Sequence, residues 1–287
     1  MNIKASSQVL GVIGDPIAHS FSPDMHNAAI DALGVDFCYV AFHVSPDRVG
    51  EAVNGLRGLE ILGLNVTIPH KLAVMEHVDR ISEEALAVGA VNTIHNEDGN
   101  LTGHNTDVYG VVKAIERVVG VTTFPENCVV LGAGGAARAV TYALGSRDEV
   151  KQVTVMNRTV ERAESLAADM EKITGKRIVP EALDAPTEAR VFGDARLVVN
   201  TTSVGMHPKT DASPLLDPAH VRPDLILYDT VFNPLETQMM REFKAQGAPA
   251  FGGLDMLVFQ GARSFEIWTG IEPPTDVMKQ AVVGRFA

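Results

Sequence analysis

Asn127 to Leu131 is a short apolar run that leads straight into Gly132-Ala133-Gly134-Gly135-Ala136-Ala137-Arg138, after which Val140, Ala143 and Leu144 recur at helical spacing. Strand, glycine turn and helix in that order fit G-x-G-x-x-A: Gly132 permits the tight turn, Gly134 lets backbone approach a pyrophosphate, and Ala137 allows close helix–strand packing. The feature commits this part of the chain to parallel strands with helical crossovers, because parallel neighbours cannot be joined by a hairpin. A purely structural glycine turn is the alternative. The next strand-like run, Val153 to Met156, ends in Asn157-Arg158-Thr159, where an NAD site usually carries an Asp or Glu for the ribose hydroxyls. Arg158 and Arg162 instead offer guanidinium forks for a phosphate, which favours NADP unless both are plain surface residues. Leu197 to Asn200 and Leu225 to Tyr228 continue the sheet, with the polar loop Thr201 to Met206 where a nicotinamide would arrive.

The first half reads as βαβαβ, with strands at Val9 to Ile13, Phe37 to Phe42 and Ile61 to Val66. Ser22-Pro23 reads as an N-cap with Pro at the first helical position, ahead of an apolar face of Met25, Ala28, Ala29, Ala32 and Leu33. Capping leaves Ser20 unexplained, and two hydroxyls beside a helix N-terminus make a seat for a carboxylate. The third strand runs into Asn65-Val66-Thr67-Ile68-Pro69-His70-Lys71. Pro69 suits the first turn of a helix, which puts an amide, a hydroxyl and an ammonium at a strand-to-helix junction, where open α/β sheets place ligands. Capping by Asn65 and Thr67 with a solvated Lys71 is the other account. Ile81 to Val88 reads as helix, and Asp98-Gly99 as the turn of a hairpin that leaves Asn92 near a sheet edge. Asp107 precedes a helical pattern through Val111, Val112, Ile115 and Val119; it either caps that helix or pairs with Lys71. Gln260 is the polar exception in the apolar helix that Gly252-Gly253 opens, so it needs partners from protein or ligand.

Composition narrows the class. The chain has 287 residues, 46% of them hydrophobic, and a formal net charge of −12 with no basic run. That argues against nucleic acid or anionic membranes as general partners. Met1 to Gly14 lacks a signal-peptide or membrane-span pattern, so a cytoplasmic location is expected. Cys38 and Cys128 lie in apolar runs and read as core thiols, and the histidines form no metal-ligand motif, so no metal is expected.

Taken in chain order, His19-Ser20-Phe21-Ser22-Pro23, Asn65 to Lys71, Gly89-Ala90-Val91-Asn92-Thr93, Asn105-Thr106-Asp107, Gly132 to Ala136, Asn157-Arg158-Thr159 and Gly253 to Gln260 resemble the shikimate dehydrogenase family, nearly end to end. The resemblance implies NADP-dependent interconversion of 3-dehydroshikimate and shikimate, in the aromatic amino-acid pathway. It implies an α/β fold of two domains: a substrate domain with a mainly parallel sheet over 1–107, completed by 254–287, and a Rossmann-like NADP domain over 108–253. The C-terminal helices would return to the first domain. Ser20 and Ser22 would bind the substrate carboxylate, and Asn65, Thr67, Asn92, Asp107 and Gln260 the ring hydroxyls, with Lys71 and Asp107 as the catalytic pair. Gly132, Ala133, Gly134, Gly135 and Ala136 would hold the pyrophosphate, and Asn157, Arg158, Thr159 and Arg162 the 2′-phosphate. Thr230 and Gly253 would lie beside the nicotinamide, and Glu84 near the cofactor. Phe232 stands where the family commonly has a Tyr whose hydroxyl reaches the carboxylate, so weaker substrate affinity is expected. The state would be a monomer or homodimer acting on a small molecule.

Two other readings follow from the same residues. A quinate or dual quinate/shikimate dehydrogenase using NAD would tend to carry Thr in place of Ser22 and an acid in place of Arg158 and Arg162. A non-catalytic NADP-binding regulatory protein would be expected to lose Lys71 or Asp107.

Overall fold

The computed structural model describes residues 3–120 and 122–286; the outer ends of the expected first domain, residues 1 and 287, lie outside them. The chain divides into two units, one comprising the described residues through Thr106 and from Val258 on, the other Asp107–Leu257.

In the first unit Gln8–Gly14 (β1), Phe37–His43 (β2) and Gly63–Val66 (β3) run parallel, joined through the helices Ser22–Leu33 (α1) and Val49–Gly58 (α2). Short Arg80–Ile81 (β4) and Glu83–Val88 (α3) follow, then the hairpin of Thr93–Glu97 (β5) and Asn100–His104 (β6). Its turn is Asp98-Gly99, both at positive φ, as a tight hairpin turn requires. The hairpin inserts antiparallel beside β3, with Thr93 opposite Asn65, so the sheet order is β2-β1-β3-β5-β6-β4. Asn92 therefore leads into an interior strand rather than an edge. The expected helix at Pro69 does not form: residues 68–72 are turns, followed by a short 3₁₀ segment at Ala73–Glu76. The exposed side chains of Ile68 and Leu72 give this stretch no apolar face with which to stabilise a helix.

In the second unit Asp107–Ala114 (α4) runs on as a π-helical turn, Ile115–Val119. The sheet is built from Asn127–Leu131 (β7), Gln152–Asn157 (β8), Arg177–Ala182 (β9), Leu197–Asn200 (β10), Ile226–Asp229 (β11) and Ala250–Phe251 (β12), all parallel, in the order β12-β11-β10-β7-β8-β9. Gly135–Gly145 (α5), Val160–Thr174 (α6), Ala185–Asp194 (α7) and Gln238–Ala245 (α8) are its helices. Strand order reverses between β7 and β10, and such a switch point opens a crevice at the carboxyl ends of the strands. Leu225 to Tyr228, read as a strand from the sequence, is displaced by one residue to Ile226–Asp229.

Leu254–Thr269 (α9) and Thr275–Val283 (α10) close the chain's helical series. From Val258 on they belong to the first unit. Alternate residues of β1 serve opposite faces there: Leu10 and Val12 pack with Ile30, Tyr39, Phe265 and Trp268, and Ile13 with Val53, Leu56 and Ile94, as a strand buried on both sides demands. The Trp268 indole donates to the Ile94 carbonyl at 2.9 Å. A Cβ on Gly63 would lie 2.1 Å from that indole nitrogen, so only glycine lets α9 settle so closely. Both cysteines are buried, and burial pushes the Cys128 thiol up to about 12, which keeps it protonated and inert.

Candidate active site

Ser20 and Ser22 meet at the start of α1. The N-cap is Phe21, not Ser22, and no side chain caps the helix; Ser22 is its first residue, and its N–H is turned back onto the Ser20 hydroxyl at 3.2 Å. Capping therefore does not occupy the Ser22 hydroxyl. It lies beside the Tyr39 phenol, whose pKa burial raises well above the ordinary value while the hydrogen bond with Ser22 opposes that shift.

Tyr39 also donates its hydroxyl to Asn65 Oδ1 at 2.7 Å. With that oxygen accepting, the Asn65 amide nitrogen faces acceptors, at 2.9 Å from Ser264 Oγ and 3.2 Å from Thr93 Oγ1. Thr93 donates in turn to Asn92 Oδ1 at 3.0 Å, which also accepts the Thr106 N–H at 2.7 Å. The Asn92 amide nitrogen lies 3.0 Å from Thr106 Oγ1 and 3.5 Å from Gln260 Oε1, and Ser264 Oγ bonds the Gln260 carbonyl one helical turn back at 3.0 Å. Asn65, Asn92 and Gln260 are thus drawn from β3, the start of β5 and α9 into one connected, mostly buried array. Such an array is rigid only because its members satisfy one another.

The loop after β3 is held to the same region. Thr67 continues the β3 ladder through its N–H to the Ile13 carbonyl at 3.0 Å, and the Lys71 carbonyl accepts from Val91, the residue before Asn92, at 2.9 Å. Between them His70 is buried, and its Nε2 lies 2.6 Å from the Val44 carbonyl. Since a carbonyl only accepts, that nitrogen carries the proton. Asp107 follows Thr106 directly as the first residue of α4, and it is buried. It stands inside the helix rather than at its cap. Glu84 sits half-buried in the first turn of α3, where burial raises its carboxyl pKa and Arg263 opposes the shift.

In the second unit Gly132 has φ +105, and a Cβ on it would come within 2.8 Å of Thr201 Oγ1. Gly134 is the N-cap of α5 in extended conformation and has no side-chain cap. A Cβ on Gly134 or Gly135 would meet nothing within 4 Å. Glycine is not required there by the surrounding protein, and the open space over unclaimed helix N–H groups fits a pyrophosphate. Asn157 ends β8 with its amide on the Thr159 carbonyl at 2.8 Å, and Arg158, Thr159 and Arg162 are exposed at the head of α6. No carboxylate ends β8, so a 2′-phosphate would meet cations there rather than repulsion. Ala133 and Ala136 are half-buried in the glycine turn.

After β11 the chain turns on Asp229, whose Oδ1 accepts from Asn200 at 2.9 Å and from Val231 N at 3.1 Å, while Thr237 donates to Oδ2 at 2.7 Å. Burial pushes its carboxyl up to about 6 against those donors. The turn presents Thr230, whose N–H bonds the Asn200 carbonyl at 2.9 Å, and then the half-buried Phe232. Gly253 packs on it so closely that a Cβ would lie 2.1 Å from the Thr230 carbonyl oxygen. Among the described residues no group of three or more His, Cys, Asp or Glu side chains could hold a metal ion.

Tyr39, Thr93, Thr106 and Ser264 are the network members to which sequence reasoning gave no role. Ser264 carries a readable signal, since it lies one helical turn after Gln260 and shares its face; Tyr39 looks like any apolar strand residue.

The family models for the shikimate dehydrogenase substrate binding domain, the shikimate/quinate 5-dehydrogenase and the shikimate 5′-dehydrogenase C-terminal domain match residues 12–94, 116–186 and 253–283. A curated shikimate dehydrogenase (NADP+) of Methanocaldococcus jannaschii is 41% identical over 284 residues, 99% of each chain. A crystal structure of a shikimate dehydrogenase in complex with NADP+ superposes with a TM-score of 0.93 at 40% identity, over 100% of this chain and 98% of the other. A shikimate 5-dehydrogenase from Listeria monocytogenes in complex with shikimate and NAD gives 0.91 at 34% identity, over 98% of each. The chain belongs to the shikimate dehydrogenase family.

Proposed function

We propose that the protein is an NADP-dependent shikimate dehydrogenase that reduces 3-dehydroshikimate reversibly to shikimate. The first unit takes the substrate and the second the cofactor. The connected array of Asn65, Asn92 and Gln260 carries this reading: a ring with several hydroxyls needs donors and acceptors fixed before it arrives, and hydrogen bonds to Tyr39, Thr93, Thr106 and Ser264 fix them. Asn65, Thr67, Asn92, Asp107 and Gln260 hold the ring hydroxyls, and Ser20 and Ser22 the carboxylate. Gly132 to Ala136 hold the pyrophosphate, with Thr230 and Gly253 at the nicotinamide and Glu84 near the cofactor.

Bound NADPH supplies the hydride for the ring carbonyl carbon. As the carbonyl oxygen gains negative charge, the Lys71 ammonium hydrogen-bonds to it and passes it a proton. Asp107 is the second member of the catalytic pair. In the oxidation direction Lys71 takes the proton from the substrate hydroxyl. Asn157, Arg158, Thr159 and Arg162 select the 2′-phosphate.

The test is the initial rate of cofactor reduction with shikimate and with quinate, each with NADP and with NAD. Turnover confined to shikimate with NADP is expected. Comparable rates with quinate or NAD would place the protein on the dual-specificity branch, and no turnover in any pairing would leave a non-catalytic NADP-binding protein. We also propose that it works in the cytoplasm as a monomer or homodimer; among the described residues no helix is long and apolar enough to cross a membrane.

A further inference from the structure

Phe21 lies between Ser20 and Ser22 and is itself buried, and what covers it comes from the far end of the sequence. The Phe286 ring stacks on the Phe21 ring with centroids 5.2 Å apart and planes 12° from parallel. The Arg285 guanidinium sits 4.9 Å from the same ring's centroid and pairs through Nη1 with Asp24 Oδ2 at 2.7 Å. After α10 the backbone N–H groups of Arg285 and Phe286 bond the carbonyls of Val282 and Val283, which directs this segment at the head of α1. Asp24 stands in the first turn of α1, two residues beyond Ser22. Without a counter-charge it would repel any anion brought to the serines.

We propose that Arg285 and Phe286 are positioning residues for the substrate carboxylate: Phe286 pins the side chain between the two serines, and Arg285 cancels the Asp24 charge beside them. The proposal rests on the reading of Ser20 and Ser22 as the carboxylate seat. Neither residue touches substrate in this account. Arg285 sharpens recognition through charge, so its effect is confined to a charged ligand.

The experiment compares Michaelis constants for shikimate and for its uncharged methyl ester in the wild type and in Arg285→Gln, Asp24→Asn/Arg285→Gln, Phe286→Ala and Ser22→Ala, with melting temperatures alongside. Arg285→Gln is expected to raise the KM for shikimate about two- to fivefold, the range of a partly exposed charge, with kcat unchanged and the ester unaffected. Removing both charges in Asp24→Asn/Arg285→Gln should restore the wild-type KM, a rescue that a merely structural role would not produce. Phe286→Ala should raise KM for both ligands without loss of kcat. If Ser22→Ala raises the KM for shikimate and Arg285→Gln does not, or if Arg285→Gln weakens acid and ester alike, the proposal is overturned while the carboxylate seat stands. If Ser22→Ala also leaves KM unchanged, the seat itself is wrong and the proposal falls with it.

Discussion

His26 should make the first unit sensitive to acid. Its ring is fully buried in α1, stacked on Tyr39 at 4.2 Å and 8°, with Phe265 and Trp268 at 6.2 Å and 5.8 Å. Neither ring nitrogen has a hydrogen-bond partner. Burial drives its pKa from 6.5 down to about 3, and the Asn65 side chain opposes this only in part. Between those values the unfolded chain binds a proton that the folded one refuses, so stability is full above pH 6.5 and is lost as pH falls toward 3. At 1.36 kcal/mol per pH unit, the loss through this one residue is about 2 kcal/mol at pH 5 and saturates at roughly 5 kcal/mol below pH 3. His26→Leu, neutral at every pH, removes that dependence. The chain has a single tryptophan, and Trp268 is buried beside the imidazole, so urea unfolding followed by its fluorescence reports this unit. Every other titrating group is common to both proteins, so the difference in slope isolates His26 whatever the substitution costs at neutral pH. Wild-type and variant stabilities that stay parallel within about 0.5 kcal/mol between pH 7.5 and 5 would show that His26 does not carry this acid sensitivity.

Lys71→Ala should lower kcat by about a hundredfold to ten-thousandfold, the usual contribution of a positioned general acid, with little change in KM in steady-state assays; a KM effect alone would make Lys71 a binding residue. Arg158→Ala should raise the KM for NADP roughly tenfold or more, as loss of a charge-assisted hydrogen bond does, and leave NAD kinetics unmoved. Gly253→Ala sets a methyl against the Thr230 carbonyl; overpacking of about 1–3 kcal/mol should lower the melting temperature, and turnover should fall with it as the turn shifts. Phe232→Tyr should lower the KM for shikimate by up to about tenfold if the added hydroxyl reaches the carboxylate, and an unchanged KM would show that it does not.

The sequence made legible whatever depends on local pattern. The apolar runs of β1, β2, β3, β7, β8 and β10 stand between turn residues, and Gly132 after β7 sits where the backbone needs a glycine. β9 was not legible, because Arg177-Ile178-Val179-Pro180-Glu181-Ala182 mixes charge and proline into a strand, a composition tolerated because β9 is an edge of its sheet. Nor was the insertion of the β5–β6 hairpin beside β3, since strand order is a tertiary choice that alternation does not encode. Ser22 misled for a related reason: Ser-Pro is a strong capping signal, yet the chain enters α1 one residue earlier, with Phe21 as N-cap and no side-chain cap. At the site, single residues such as Asn65 and Gln260 could be picked out by type, and Ser264 by its place one helical turn after Gln260, but Tyr39 and Thr93 come from β2 and β5, and no spacing rule joins them to the amides.

Those partners explain how amides can sit in a core at all. A buried amide left unpaired costs about 1–3 kcal/mol, and Asn65, Asn92, Thr93, Thr106 and Ser264 are all buried. Each satisfies another, so the cluster is tolerated as a unit and would be a liability if halved. The direction of the Asn65 amide follows from its one partner that can only accept. The amide nitrogen lies 3.3 Å from the Asn92 carbonyl, and a flipped amide would set its oxygen against that carbonyl, whereas the hydroxyls of Tyr39, Ser264 and Thr93 can serve as donor or acceptor. The unflipped orientation is therefore set before any ligand arrives. On the proposed reading of this array as the seat of the ring hydroxyls, a substrate would meet groups whose directions need not reorganise, and preorganisation of this kind would give discrimination between ring isomers that differ by one hydroxyl.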